Sequence, residues 1–457
     1  MVKRTLIKGG FVITLDRELG DLAGADVLIE DGKIRAVGPG LQATDCEVVD
    51  ASEMIVLPGF VDTHRHVWEA VIRNVGANWS LPTYLHHIYF NGLGGTLRPE
   101  DVYIGNLLGA LEALDAGVTT LLDWSMVNSP EHADAMIGAL QEAGIRAVFA
   151  YGTPLKGAGA YWSRDSQLLH PDDCRRVRRQ YFSSDDQLIT MGLAIRGPEF
   201  CSWEAAVHDI HLARELGVLA TMHLGFGTWG SVDRSVEKLH QANLLGPDLN
   251  FTHATALSDE EYRLIAETGC SVSVCPEIEM MMGHGYPPTD KLVAQGGRPT
   301  LGVDVVTSTG GDMFTQMKFM LHGARARHNE ATLGTGQMPE TLLLTARDVL
   351  EFATIGGARA LRLDHKIGTL SPGKDADLIM IRRTDVNLYP VNDPICAAVL
   401  CANTGNVDSV FVAGRAVKRH GKLVDVDLAR VRRLAAASRD YIFAEYGTPE
   451  GAAPLSA

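Results

Sequence analysis

The sequence predicts an α/β protein: a (β/α)8 TIM-like barrel with a small β-sandwich domain built from both chain ends. Three observations predict it. Apolar, strand-like runs alternate with helical stretches through the middle of the chain, a pattern that specifies a parallel sheet. Four histidines and one aspartate each close such a run, at the strand ends where a barrel of eight βα units carries its site. Short strands broken by turn signals occupy both ends of the chain, outside the alternating region.

The first end segment, 1–56, contains Thr5–Thr14 and Asp26–Val37, the latter interrupted by Glu30-Asp-Gly-Lys33. Asp-Gly supports the positive φ of a tight turn, so this reads as a hairpin. The second, 367–430, contains the strand Asp377–Arg382 and a further hairpin over Ser409–Val417 and Gly421–Val424. Between them, 57–366 forms the barrel. Its helices are expected over Val102–Ala116, His132–Ala143, Ala205–Leu216, Val232–Ala242 and Asp259–Thr268. Each leads, after a glycine or short turn, into a strand: Thr119–Asp123, Ala147–Tyr151, Val218–His223, Asn250–His253 and Ser271–Cys275. Ile55–Asp62, Leu188–Ala194 and Thr300–Asp304 complete eight. Ala346–Ala360 and Leu428–Glu445 read as late helices, and 431–457 is set apart as a C-terminal helix and tail.

The 457 residues suit a barrel of roughly 300 residues plus a second unit. Hydrophobic content of 46% and charged content of 21% are ordinary for a globular chain with a large core. A net charge of −15 argues against a nucleic-acid partner held through phosphates. Seven cysteines, odd in number and without a CxxC pair, read as reduced thiols of a cytoplasmic protein. No run is long and apolar enough for a signal peptide or a bilayer span, so no membrane partner is expected.

The chemistry is concentrated at His64, His66, His223, His253 and Asp304. Side chains alternate along a strand, so His64 and His66 point one way and Arg65 the other. Imidazole and carboxylate are ligands for borderline divalent metals. His86 and His87 are consecutive and diverge, which makes them a poor joint ligand pair. Trp68, His87 and Trp229 lie in segments expected to approach the pocket mouth, where aromatic side chains suit an apolar or aromatic small-molecule substrate.

At these residues the chain resembles the amidohydrolase superfamily. The matching motifs are Pro58-Gly-Phe-Val-Asp-Thr-His-Arg-His66, Gly117-Val-Thr-Thr120 with Asp123, Met222-His223, Thr252-His253, Gly302-Val-Asp304 and Ile367-Gly-Thr-Leu-Ser-Pro-Gly-Lys-Asp-Ala-Asp-Leu378. Ser80-Leu-Pro-Thr-Tyr-Leu85 and Leu97-Arg-Pro-Glu-Asp-Val-Tyr103 carry a further likeness to the cytosine-deaminase and s-triazine-hydrolase branch. The resemblance implies one divalent metal, zinc before iron, cobalt or manganese, held by His64, His66, His223 and Asp304. His253 is a ligand or a hydrogen-bond donor. It also implies a homo-oligomer. Binuclear relatives carry a lysine at the end of strand four; Thr190–Glu199 has none, which favours a mononuclear site.

Two departures bear on function. Relatives in this branch place a proton-shuttling Glu three residues after the strand-five histidine; here Phe226 stands there. Cys275-Pro-Glu-Ile-Glu279 puts Glu279 where the family has Asn. Asp304 and His253 are therefore the expected catalytic proton carriers, with Glu279 and, less so, Glu277 as substitute acids near the substrate. Without the shuttle, the leading expectation is hydrolysis of a non-peptide C–N bond in an amide, urea, carbamate or thiocarbamate. The alternative is an aminohydrolase or chlorohydrolase acting on a purine, pyrimidine or s-triazine ring.

Overall fold

The structure is a computed structural model that describes residues 4–90 and 92–449. The first three residues of the first end segment and the tail from 450 onward lie outside the described residues. The N-terminal segment forms β1 (Arg4–Ile13), β2 (Asp21–Glu30), β3 (Lys33–Gly38), β4 (Glu47–Asp50) and β5 (Met54–Pro58). Eight strands follow: β6 (Phe60–Arg65), β7 (Val118–Met126), β8 (Arg146–Gly152), β9 (Ile189–Ala194), β10 (Leu219–Leu224), β11 (Leu249–His253), β12 (Ser271–Val274) and β13 (Pro299–Leu301). The last four are β14 (Leu378–Arg382), β15 (Val407–Val412), β16 (Arg415–Arg419) and β17 (Lys422–Leu423).

Strands β6 to β13 pair in chain order, every pair parallel. All nine residues of β7 and all seven of β8 are buried, as expected of strands covered on both faces. The circle closes beyond β13. The Asp304 amide donates to the His64 carbonyl and the His66 amide to the Asp304 carbonyl, both at 2.9 Å. The residues that close the barrel are thus the residues expected to hold the metal.

Helices between the strands start and stop on local signals. Trp203–Leu216 begins at Ser202, whose side chain accepts from the Ala205 amide, and ends at Gly217 with φ 68°. Asp259–Thr268 opens on a reciprocal cap between Ser258 and Glu261. The helix expected over 232–242 is instead two, Gly227–Asp233 and Ser235–Gln241, broken where Arg234 turns left-handed at φ 49°. The helix Met313–Leu333 was not expected: its buried residues end at Ala324, and the polar half beyond blurs the period.

The end segments form one nine-stranded sheet in the order β17-β16-β15-β14-β5-β1-β2-β3, with β4 added alongside β1. It curls over its own core. The β2–β3 turn at Gly32 meets the β15–β16 turn, through Ala376 N to Gly32 O at 2.8 Å and Gly414 N to Ala376 O at 3.0 Å. Ile7, Val27, Ile34, Val56, Leu378 and Phe411 fill the enclosed space. The run expected as one strand over Ile55–Asp62 is divided at Gly59: β5 joins the small sheet and β6 the barrel. A Cβ on Gly59 would lie 2.2 Å from the Thr119 side chain, so the crossing point needs glycine. Buried Arg146, at the start of β8, binds Asp375 and Asp377 at 2.9 Å and ties the barrel to the returning chain. Among the described residues, no helix is long and apolar enough to cross a membrane.

Candidate metal centre and active site

Five side chains from four barrel strand ends converge on one point. His64 and His66 leave β6 on the same side, with ring centres 5.1 Å apart. Arg65 points the other way, to Glu112 at 2.7 Å and the Gly311 carbonyl at 3.1 Å. His223 comes from β10, with its ring 4.8 Å from that of His64, and His253 comes from the end of β11. Asp304 follows β13. One of its oxygens lies 3.2 Å from His64 Nε2 and 3.5 Å from His66 Nε2; the other lies 3.6 Å from His253 Nε2. Ligand atoms of His64, His223, His253 and Asp304 all fall within 4.8 Å of one another.

Two of these residues sit in strained backbone. His253 has φ 74° and Asp304 φ 70°. Left-handed non-glycine residues are uncommon, and they cluster where a side chain must be aimed. The turn at Asp304 also explains why the strand expected to run to residue 304 ends at Leu301. Asp62, wholly buried, accepts from the His64 amide at 3.3 Å and the Val303 amide at 3.1 Å, fixing both walls of the site.

The electrostatics suit a cation. Burial pushes the imidazoles of His64, His66 and His223 down, His66 to about 3, so they are neutral with lone pairs available. Burial raises Asp304, but the His64 hydrogen bond and the surrounding imidazoles outweigh it and hold its carboxyl well below the usual range. His66 Nδ1 is buried with no hydrogen-bond partner. Neutral nitrogens around one ionised carboxylate are a donor set that a divalent ion completes.

His253 is held from behind. Its Nδ1 faces Glu279 Oε1 at 3.3 Å, and the same oxygen accepts from the Cys275 amide at 2.8 Å. Thr252 Oγ1 lies 3.2 Å from His64 Nδ1.

The centre opens into a cavity of about 180 Å³. His66, His223 and Asp304 form its floor; Tyr84, Tyr89, Trp162, Phe200, Phe226 and Trp229 form most of its wall. The volume is below the ~300–1,000 Å³ of typical ligand pockets, which suits a compact substrate. Of the expected substrate-contacting residues, Trp229 lines this cavity. Trp68, His87 and Glu279 do not. Trp68 is 1% exposed and packs beside His66 against the Pro99–Asp115 helix. His87 stacks on Trp79 at 4.6 Å and bonds Tyr446 Oη at 2.8 Å. Glu279 is fully buried behind His253. Glu277 bonds Gln316 at 2.9 Å, away from the centre.

Sequence reasoning missed two polar residues on the wall, Glu199 and Arg164. It also missed Trp124, which packs 4.2 Å from His223, and Glu69, whose oxygens accept from Tyr84 Oη at 2.6 Å and Thr307 Oγ1 at 3.0 Å. Glu199 stands after Gly197-Pro198, just past the end of β9. Its position beyond a barrel strand was the available signal.

This fold and this site define a metal-dependent hydrolase of carbon–nitrogen bonds other than peptide bonds. The chain belongs to the amidohydrolase family, whose model matches residues 55–417. It is 28% identical over 436 residues to a 5-methylthioadenosine/S-adenosylhomocysteine deaminase of Pyrococcus furiosus, covering 93% of this chain and 98% of that one. It is 28% identical over 431 residues to a 5′-deoxyadenosine deaminase of Methanothermobacter thermautotrophicus, covering 92% and 95%. Among solved structures, an adenosine deaminase from Xanthomonas campestris with bound zinc superposes with a TM-score of 0.84 at 25% identity, covering 96% of this chain and 98% of that one. A zinc complex of atrazine chlorohydrolase from Arthrobacter aurescens shares the fold, with a TM-score of 0.82 at 22% identity over 95% and 100% of the two chains.

Proposed function

We propose that the protein is a mononuclear aminohydrolase that releases ammonia from a compact, aminated aromatic heterocycle of the purine, pyrimidine or s-triazine kind. The observation that carries this is a cluster of histidines and one carboxylate opening into a small, aromatic-walled cavity. The expectation that an acyl C–N bond comes first gives way, because the relatives quoted above are, by name, deaminases and a chlorohydrolase, and they support the ring alternative better.

His64, His66, His223 and Asp304 would hold one ion, with zinc favoured by the zinc in two neighbours and by the imidazole-rich set. Such an ion, when bound, makes water a nucleophile at neutral pH. The chain's own residues do the rest. The aromatic wall stacks a flat ring and keeps bulk water out. Asp304, with oxygens turned toward three imidazoles, accepts a proton from the attacking water and returns it to the departing nitrogen. His253 pairs through Nδ1 with Glu279, which leaves its Nε2, facing Asp304, to polarise the group under attack or move a proton.

Phe226 favours a second reading, hydrolysis of an amide, urea, carbamate or thiocarbamate, because an acyl carbon needs no ring protonation. The deciding experiment is metal analysis of the purified protein followed by a substrate panel. 5′-Deoxyadenosine, 5′-methylthioadenosine, cytosine and melamine are assayed for ammonia; phenylureas and thiocarbamates are assayed for amine. Ammonia from a ring supports the proposal. Amine release alone transfers it to the second reading, and silence on both sets from metal-loaded protein refutes it.

A further inference from the structure

We propose that Glu199 supplies the acid–base carboxyl that Phe226 lacks, exchanging a proton with the ring nitrogen beside the carbon under attack. The inference rests on the aminohydrolase reading and names the residue that makes it chemically complete.

The argument begins with register. Strands β9 and β10 are parallel neighbours, with Ala194 opposite Thr221. Glu199 and Phe226 each stand five residues beyond that pair, in the segments that follow the two strands. The Glu199 carboxyl reaches across to the turn that carries Phe226: both oxygens accept from the Gly225 amide, at 2.9 and 3.1 Å. Glu199 is 1% exposed yet lines the cavity together with His223 and Asp304. Among the described residues on that wall, Glu199 and Asp304 are the two acids, and Asp304 belongs to the metal cluster. Arg164, which lines the same cavity, is bound by Asp233, with one contact at 2.7 Å. Burial raises the Glu199 carboxyl to about 7 against the pull of the Gly225 amide, the Ser235 hydroxyl and Arg164, with Asp233 adding to the rise. A carboxyl poised there can give and recover a proton at neutral pH.

The step balances as follows. Water adds its oxygen to the ring carbon bearing the amino group and yields one proton to Asp304, while Glu199 gives its proton to the adjacent ring nitrogen. The C–N bond then breaks. The amino group takes the proton held by Asp304 and leaves as ammonia. The hydroxyl proton returns to Glu199 as the carbonyl forms. Both acids end as they began.

The test uses the full-length, metal-loaded protein and the best ring substrate of the panel above. Glu199→Gln is expected to lower kcat by about 10²–10⁴-fold, with KM changed by less than about threefold. In the parent, kcat falls as pH rises through about 7 and Glu199 ionises; in Glu199→Gln that limb is absent. Adding Phe226→Glu to Glu199→Gln returns a carboxyl to the neighbouring strand end and recovers kcat by at least about tenfold, an outcome that a merely structural role for Glu199 would not produce. The proposal is overturned if Glu199→Gln keeps kcat within threefold, if KM alone rises, or if Phe226→Glu recovers nothing while metal content and melting match the parent. Should Glu199→Gln fail to fold, a parent profile without a limb near 7 overturns it instead. A parent that releases no ammonia from any ring defeats the aminohydrolase reading and this proposal with it; a silent variant beside an active parent concerns Glu199 alone.

Discussion

Asp304→Asn isolates the charge at the heart of the site. Asparagine has the same shape and is among the few residues that tolerate the left-handed φ of 70° found there. The closing hydrogen bonds to His64 and His66 run through the backbone of residue 304, so they survive the change. What is lost is the anion facing His64 at 3.2 Å, His66 at 3.5 Å and His253 at 3.6 Å. Removing a positioned proton carrier costs about 10²–10⁴ in rate, equivalent to about 2.7–5.4 kcal/mol at 1.36 kcal/mol per decade. Loss of a charged ligand weakens metal binding in addition, so the assay must separate the two effects. Ammonia release is measured at saturating substrate across a series of added zinc concentrations, with bound metal and thermal melting determined on the same samples. The expected result is a cooperative melt, metal restored at high zinc, and kcat still at least about 10²-fold below the parent. A variant that regains parental kcat once loaded would show that Asp304 acts only as a ligand and would refute its role as proton carrier.

Other perturbations address neighbouring parts of the site. His66→Ala is expected to abolish bound metal; full occupancy by elemental analysis would contradict the ligand assignment. Glu279→Gln keeps an acceptor for the Cys275 amide but removes the charge beside His253, so kcat should fall by about tenfold, in line with about 1.5 kcal/mol for one charge-assisted hydrogen bond; a loss equal to that of Asp304→Asn would make Glu279 the principal proton carrier. Burial raises Glu69 from 4.5 to about 8. A carboxyl raised in the folded state binds more protons there than in the unfolded chain, so its contribution to stability is full below about 4.5 and is lost as pH climbs through about 8. The metal-free parent should therefore lose melting temperature over that interval more steeply than metal-free Glu69→Gln; parallel curves would show that Glu69 is not protonated in the fold.

The parts of the site legible in the sequence are those fixed by strand geometry. Alternation along β6 separates His64 and His66 from Arg65, and the structure shows the same division, with Arg65 bound to Glu112. Asp304 was legible because a carboxylate at a strand end in a barrel has few other uses. The rest depends on how loops settle. Trp68 is two residues from His66, but it lies on a short helical turn that carries it toward the Pro99–Asp115 helix. Glu277 and Glu279 sit two apart on one helix, and residues at that spacing do not share a face; one reaches Gln316 and the other His253. Glu199 could not be ranked from sequence, because its burial is created by the Gly225 turn of a neighbouring strand. The end strands, and their union in one small domain, were legible; the register that joins them in one sheet was not, because it follows from pairings between residues hundreds of positions apart.

That last feature shapes how the protein comes into being. Pro58 finds its sheet partner, Leu378, roughly 320 positions later. At the ~5–20 residues per second of translation, the earliest strands wait some 15–60 s for the hydrogen-bonding edge that completes them. Throughout that interval β1 to β5 can pair among themselves, but the β5 edge that will receive β14 stays open, and open strand edges recruit other chains.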